Sequence, residues 1–384
     1  MALPPAQPAY ILRGHGSQIS TTAFIRANTR LLTGDSDGWI VVWSLAIKRP
    51  VTVWKAHEGS ILGINAWGSE KLITHGKDNK LVVWKLSEED ESSMSVVLPV
   101  DTPPEPRKEP WLLHVLHVNT MNFCSFAQTE IPKTVSEDEA AEELLIAVPN
   151  TLSSETVDIF QLPTCQRIHN IPNPNAFKGG MIMALSIFHS PQSSHLTVIA
   201  GYESGHTIVF QYSDNSWQVL YKTQAHNQPV LSLDVSPTKD FYLTSSADAI
   251  IAKHPIPASY ELVIKSGDDV PLKILKTGHA GQQSLKMRND GKIFATAGWD
   301  SRVRVYGSKA MKELAVLKWH KEGCYAVSFA DVVEEAKEGD ESGKELVKRT
   351  TALTVKEERL SKAKTAHWIA VGSKDGKVSL WDIY

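Results

Sequence analysis

One phrase returns along this chain, and its spacing decides what the chain can fold into. Residues 33–43 read TGDSDGWIVVW, residues 74–84 THGKDNKLVVW, residues 296–306 TAGWDSRVRVY and residues 371–381 VGSKDGKVSLW. In each, an aspartate (Asp37, Asp78, Asp300, Asp375) stands six residues before a tryptophan or tyrosine. Residues 244–254, TSSADAIIAKH, keep Asp248 at that spacing and end on His254. SETVDIF at 154–160 and SGHTIVF at 204–210 keep the apolar run and its closing aromatic, with serine in place of the aspartate. The closing positions are Trp43, Trp84, Phe160, Phe210, His254, Tyr306 and Trp381.

A second marker precedes most copies: Gly14-His15, Ala56-His57, Ala225-His226, Gly278-His279 and Trp319-His320. His15 lies 28 residues before Trp43, His57 27 before Trp84 and His279 27 before Tyr306. The first two copies are offset by 41 or 42 residues. Between the markers, segments such as ATAGWD, VRVYG and ELAVLKW alternate in the two-residue period of strands and are cut by turn residues. A period near 40 with these markers is the pattern of WD40 repeats, four strands to a propeller blade. A length of 384 residues exceeds the usual single core, yet a ring of blades makes it one domain. The expectation is an all-β, seven-bladed WD40 β-propeller over residues 1–384. AYILRGH at 9–15 reads as a fourth strand and VSLWDIY at 378–384 as a third, so residues 9–13 are expected to close the ring.

The repeat also explains its polar residues. In WD40 blades the turn aspartate, the loop histidine, a hydroxyl on the second strand and the strand-end indole form a buried hydrogen-bonded relay. By position, His15, Thr33, Asp37 and Trp43 make one, and His57, Thr74, Asp78 and Trp84 another. His279, Thr296, Asp300 and Tyr306 make a third. His320, Asp375 and Trp381 stand in the last blade, where Val371 replaces the hydroxyl and leaves the set incomplete. Buried carboxylates need partners and an indole N–H needs an acceptor, which makes these residues frame rather than chemistry.

Three segments break the period: residues 87–110, 130–143 and 331–364, rich in charge or proline and expected as solvated, mobile loops. A short helix is expected around 345–360.

Motifs for chemistry are weak. DSDG at 35–38 opens like a calcium loop, but Trp39 and Ala46 fall where oxygen ligands are required. His114 and His117, in a strand pattern, point to opposite faces. Gly179-Gly180 is followed by no Walker lysine, and no nucleophile elbow occurs. Cys124, Cys165 and Cys324 form no paired motif, which suits a reducing compartment. The first residues, MALPPAQPAY, lack the regions of a signal peptide. A net charge of −3 lacks the basic footprint of a nucleic-acid binder. No catalytic, cofactor or metal residue is assigned. The turn positions before the relay aspartates, among them Lys77, Trp299 and Lys374, face the narrow side of the ring and are the candidate partner-binding residues. Trp299 either anchors a partner or lies flat on its own blade.

LLTGDSDGWIVVWSLAIKRPV (31–51), WKAHEGSILGINAWG (54–68), ITHGKDNKLVVWKL (73–86) and PWLLHVLHVNTMNFCSF (110–126) resemble the fungal ASTRA-associated protein 1 family. So do LKMRNDGKIFATAGWDSRVRVY (285–306), LAVLKWH (314–320) and HWIAVGSKDGKVSLWDIY (367–384), which also resemble the animal guanine-nucleotide-binding-protein β-subunit-like protein 1. The resemblance implies a nuclear, non-enzymatic scaffold in the ASTRA complex, among kinase co-chaperone and chromatin-remodelling subunits. Its implied roles are chromatin remodelling, telomere maintenance and the stability of phosphatidylinositol-3-kinase-related kinases. No direct nucleic acid, membrane or small-molecule partner is implied. The competing reading is a stand-alone reader of peptides or modified histone tails on the top face.

Overall fold

Why these segments become strands is visible in their composition: apolar, β-branched runs of four to nine residues bounded by Gly, Asn, Asp and Ser turns. The structure, a computed structural model, describes residues 6–101, 107–119, 123–132, 143–174, 177–258, 270–333 and 354–383. After β1 (Tyr10–Arg13), blade 1 comprises β2 (Ile19–Ile25), β3 (Arg30–Asp35), β4 (Trp39–Ser44) and β5 (Arg49–Lys55). Blade 2 is β6 (Ile61–Trp67), β7 (Lys71–Gly76), β8 (Lys80–Lys85) and β9 (Trp111–His117). Blade 3 is β10 (Ala127–Glu130), β11 (Leu144–Pro149), β12 (Val157–Leu162) and β13 (Gln166–Ile171). Blade 4 is β14 (Ile182–His189), β15 (Leu196–Tyr202), β16 (His206–Ser213) and β17 (Ser216–Gln224). Blade 5 is β18 (Val230–Val235), β19 (Phe241–Ser246), β20 (Ile250–Pro255) and β21 (Lys273–Lys276). Blade 6 is β22 (Gln282–Met287), β23 (Ile293–Gly298), β24 (Arg302–Gly307) and β25 (Lys312–Lys318). Blade 7 is β26 (Cys324–Phe329), β27 (Trp368–Ser373) and β28 (Lys377–Asp382), completed by β1. The molecule is a seven-bladed β-propeller.

The expected closure is present. β1 runs antiparallel to β28, Tyr10 opposite Leu380 and Arg13 opposite Lys377. Leu12 of β1 is buried with Val378, Leu380, Ile19 and Trp43, so it joins blade 7 to blade 1.

The core lies between blades rather than within a central layer. Along β4, Val41 and Trp43 pack towards blade 7, while Ile40 and Val42 pack towards blade 2. A central strand such as β4 is therefore apolar on both faces, which is why IVVW and LVVW read as continuous runs rather than as clean alternation.

Residues 87–101 depart from the mobile loop expected of them. Glu91 is buried and accepts hydrogen bonds from Arg26 and, at 2.8–3.0 Å, from Arg30. Ser95 accepts from Val53 at 2.8 Å, and Leu98 seats against Gly14. The acidic segment is thus a strap across blade 1, held by a carboxylate that needs its two arginines once buried. Residues 102–106 and 133–142 lie outside the described residues, as do 334–353. The last segment ends in α1 (Val355–Thr365), slightly later than expected. A reciprocal capping box between Thr354 and Glu357 starts it, and Ala363 anchors it beside Trp368.

Removing β1 exposes the β28 edge and empties the Leu12 site. Leu12→Ala alone is expected to cost about 2–5 kcal/mol, and deletion of residues 1–13 more, in a single cooperative transition. Chemical denaturation of the full chain and the two variants tests this; an unchanged midpoint in the deletion rules out β1 as the latch.

Candidate functional site: the relays and the channel mouth

In blade 2, Trp84 Nε1 donates to Thr74 Oγ1 at 2.9 Å. His57 Nε2 lies 2.8 Å from that same hydroxyl, and its Nδ1 lies 2.9 Å from Asp78 Oδ1. The order of protons follows from the ends. An indole can only donate and a carboxylate only accept, so Thr74 donates to His57 Nε2 and His57 Nδ1–H donates to Asp78. This chain of bonds needs a neutral imidazole. Burial pushes His57 below the usual imidazole range against the pull of Asp78, consistent with that order. Burial would raise Asp78, but the Glu58 backbone N–H and His57 hold it low.

Blade 1 has the same relay with one correction: its carboxylate is Asp35, not Asp37. His15 Nδ1 lies 2.7 Å from Asp35 Oδ2, His15 Nε2 2.7 Å from Thr33, and Trp43 Nε1 donates to Thr33 at 2.9 Å. The strand-end position explains the exchange. Its counterparts are Gly76 and Gly298, where an added Cβ would stand 2.6 Å from the Oδ1 of Asp78 and Asp300. A side chain there points at the carboxylate site. With glycine, an aspartate reaches in from the turn; with Asp35, the strand fills the site and Asp37 is left exposed. Asp35 also accepts the N–H groups of Asp37 and Trp39, both at 3.0 Å.

The blade 7 relay, expected to lack its hydroxyl, gains one by another route. Ser379, directly opposite Val371 on the next strand, supplies the missing hydroxyl. It accepts from Trp381 Nε1 at 2.8 Å and meets His320 Nε2 at 2.9 Å. His320 Nδ1 lies 3.4 Å from Asp375 Oδ1. Blade 5 carries a further relay that the sequence reading passed over. His226 bridges Asp248 (3.1 Å) and Thr244 (2.8 Å), and His254 Nε2 stands 2.9 Å from Thr244 where an indole N–H would be. Tyr221 Oη satisfies the other nitrogen of His254 at 3.2 Å. The markers Ala225-His226, Thr244 and Asp248 were all legible; only the closing histidine disguised the set.

Blade 6 does not form the expected relay. His279 is only half-buried and stands 4.0 Å from Asp300, because Arg304 takes its place. Arg304 sits opposite Thr296, is buried, and grips Asp300 with both terminal nitrogens at 2.6 and 3.3 Å. A guanidinium fits a carboxylate two-pronged where an imidazole offers one donor. Blades 3 and 4, closed by Phe160 and Phe210, have no indole donor to start a relay. Blade 3 instead buries Asp158 between Asn150 and Asn170, both at 2.8 Å.

The relays stand at the end of the blades where the innermost strands begin, and there those strands share an irregularity. The register of β2, β6, β14, β18, β22 and β26 slips by one residue. The skipped residues, Ser20, Leu62, Met183, Leu231, Gln283 and Tyr325, all line the central channel, a cavity of about 250 Å³. Bulges re-aim side chains, and here they build a ring of mixed polar and apolar side chains around the mouth. Among the described residues lining it, Lys286 is the one with a charged side chain, and it faces Asp234 at 3.4 Å. No group of three side chains suited to a metal occurs among the described residues.

Of the three candidate contact residues, two are neighbours. Trp299 and Lys374 flank Gly323: an added Cβ there would lie 3.2 Å from the Trp299 carbonyl oxygen, and Lys374 N–H donates to the Gly323 carbonyl at 2.9 Å. Lys77 belongs to blade 2, with its ammonium 4.1 Å from the exposed Phe123 ring. Of the two readings of Trp299, the structure shows the packed one. Its ring lies flat on Gly281, where any Cβ would collide with it at 2.1 Å, and its N–H donates to Gln283 at 3.0 Å. It nevertheless remains 45% exposed. The result is a rigid, half-solvated aromatic face beside the channel mouth.

Two outcomes test the relays. Ser379→Val leaves two buried groups without a partner and is expected to cost about 3 kcal/mol; adding Val371→Thr restores the hydroxyl from the other strand and recovers most of it. Denaturant titrations of the single and double variants decide this. Burial also pushes His75 and His254 down to about 3. An imidazole in the unfolded chain titrates near 6.5, so the unfolded state binds more protons below that pH. Stability therefore falls as pH drops from about 6.5 towards 3, by up to about 2.7 kcal/mol per unit for the pair. His75, whose nitrogens have no protein partner among the described residues, is the cleaner probe: His75→Leu should lower the slope by about 1.4 kcal/mol per unit without loss of stability at neutral pH.

Comparison with known proteins covers nearly the whole chain. The family model of ASTRA-associated protein 1 matches residues 8–381. The ASTRA-associated protein 1 of Verticillium alfalfae is 49% identical, with 98% of this chain and 93% of that protein covered. Those of Pyricularia oryzae and Penicillium rubens are each 45% identical, covering 99% of this chain and 98% of theirs. The chain belongs to the ASTRA-associated protein 1 family.

Proposed function

We propose that this chain is a non-catalytic scaffold subunit of the ASTRA complex. The observation that carries the reading is the family match across residues 8–381, in relatives whose name states their association with ASTRA. The geometry supports it. The relay histidines and carboxylates are engaged in the frame, and among the described residues those lining the channel bring no base to a nucleophile. A rigid ring presents a top, a bottom and a rim, so several partners can dock without competing.

Within that complex the chain works in the nucleus, linking kinase co-chaperone and chromatin-remodelling subunits. Its contribution there is to chromatin remodelling, to telomere maintenance and to the stability of phosphatidylinositol-3-kinase-related kinases. It contacts other proteins rather than nucleic acid, a membrane or a small molecule. Trp299 is the favoured top-face anchor, because its ring is already fixed by Gly281 and Gln283 and loses little freedom on binding.

The test is purification of the tagged chain from native extract at moderate salt, with the Trp299→Ala variant in parallel. Co-recovery of ASTRA subunits in stoichiometric amounts is the expected result, with binding weakened by about 2 kcal/mol or more in the variant. Recovery of histones without those subunits would overturn the scaffold reading in favour of a histone-tail reader. Full recovery with the variant would remove Trp299 from the interface.

A further inference from the structure

The outer edges of the blades are not alike. A free edge offers unpaired N–H and C=O groups to any extended chain, and stable proteins guard it with charge, proline, brevity or a cover. β1 and β21 are only four residues long. β5 is covered by the strap, through the Val53 N–H to Ser95 bond. β13, β17 and β25 carry Arg167, Lys222 and the Lys312, Glu313 and Lys318 set respectively. β9, WLLHVLH, has seven residues with no formal charge and no proline, and it is the last strand of its sheet. Trp111 is 74% exposed, Leu112 49% and Val115 37%.

The surroundings of β9 define what would cover it. Leu112 stands opposite Trp84 and Val115 opposite Val82, so both face one groove, which they share with Val82 and Trp84. That groove continues, through Glu109 and Leu112, into a second lined by Trp111. The second is acidic: Glu70, Glu88, Glu89, Asp90 and Glu109 face Lys85 and Lys108. Asp90 is taken up by Ser87, and Glu88 meets Arg30 at 3.0 Å. Among the described residues no ion pair occupies Glu89 or Glu109.

We propose that β9 is a docking edge for an extended, lysine- or arginine-bearing segment of a partner protein, which adds to blade 2 as a fifth strand. Main-chain hydrogen bonds to the β9 edge supply the pairing. Alternate side chains of the segment cover Leu112 and Val115, and its cations meet Glu89 and Glu109. The proposal deepens the scaffold reading and rests on it for the premise that the chain works bound to other proteins. The surface lies on the outer rim, apart from Trp299 and the channel mouth.

The test has a direct arm and a native arm. In the direct arm, a seven-residue peptide of alternating valine and lysine is titrated into the full chain and compared with its valine–glutamate counterpart. The lysine peptide should bind at least tenfold more tightly, weaken in 0.5 M salt, and slow hydrogen exchange of the β9 amides. Trp111→Lys/Val115→Lys should lower its affinity at least tenfold while leaving thermal unfolding unchanged, since both side chains are exposed. Equal binding of the two peptides, or β9 amides left unprotected, overturns the proposal. In the native arm, a photocrosslinker at position 111 is compared with one at Ile168 on β13. A crosslink from 111 to a basic, extended segment of another subunit supports the edge. A crosslink to a helix, to an acidic segment or to a second copy of this chain overturns it. Co-purification of ASTRA subunits with β9 still freely exchanging sinks this proposal alone; peptide binding without those subunits sinks the scaffold reading alone.

Discussion

The structure depends on one shared hydroxyl in each relay blade, placed between an indole or imidazole donor and the histidine of the preceding loop. The reason lies in the apolar strands. Because a central strand such as β4 is buried on both faces, with Val41 and Trp43 to one neighbour and Ile40 and Val42 to the other, burial alone penalises a one-residue slip only weakly. In a half-exposed sheet the slip would turn every apolar side chain to water; here it would turn them into another core. A buried polar chain that must be completed link by link restores the penalty, since a slip orphans several groups at about 1–3 kcal/mol each. The relays hold the register that the hydrophobic pattern leaves loose.

The same histidines join the blades. The turn glycine of one blade packs against the main chain of the next relay histidine: Gly38 against His57, Gly205 against His226, and Gly376 against His15. At Gly38 an added Cβ would stand 1.8 Å from the His57 carbonyl oxygen, and its φ of +87° suits glycine as well. A histidine is thus fixed through its ring to its own blade and through its backbone to its neighbour. Around the ring the last of these contacts, Gly376 to His15, lies next to the β1 latch, so closure is made twice within a few residues.

Most of the fold was legible in the sequence because its signals are local: the repeated phrase, the loop histidine and the spacing between them. The seven blades and the closing strand follow from those alone. What escaped has a common cause, namely that a side chain's place can be reached from more than one backbone position. Asp35 and Asp37 both satisfy a loose spacing, and only the small residue, glycine or serine, at the equivalent of position 35 in blades 2, 5, 6 and 7 tells which one points inward. Ser379 replaces the hydroxyl of Val371 from the opposite strand, a substitution visible only once the register pairs them. Arg304 displaces His279 because a long cation reaches where a loop imidazole would sit. The acidic run at 88–91 reads as a solvated loop until Arg26 and Arg30, some sixty residues earlier, are brought beside Glu91. Surface preference is less legible still, since the exposure of Trp111 depends on which edges other segments happen to cover.

Blade 6 shows how frame and surface are connected. Trp299 stands next to Asp300, so whatever holds the aspartate also aims the tryptophan. In blades 1, 2, 5 and 7 a histidine performs that task through a single ring nitrogen. In blade 6 a permanent guanidinium does it instead, gripping Asp300 with two nitrogens. The turn that carries the exposed aromatic is therefore held by a charged pair, while Gly281 beneath the ring and Gln283 at its N–H fix the side chain itself. Among the blades that keep the turn aspartate at its place, blade 6 is the one that exchanges the histidine for a guanidinium, and its turn is the one that projects an aromatic contact. A scaffold gains from such stiffness, because a contact surface already set in place loses less entropy when its partner arrives.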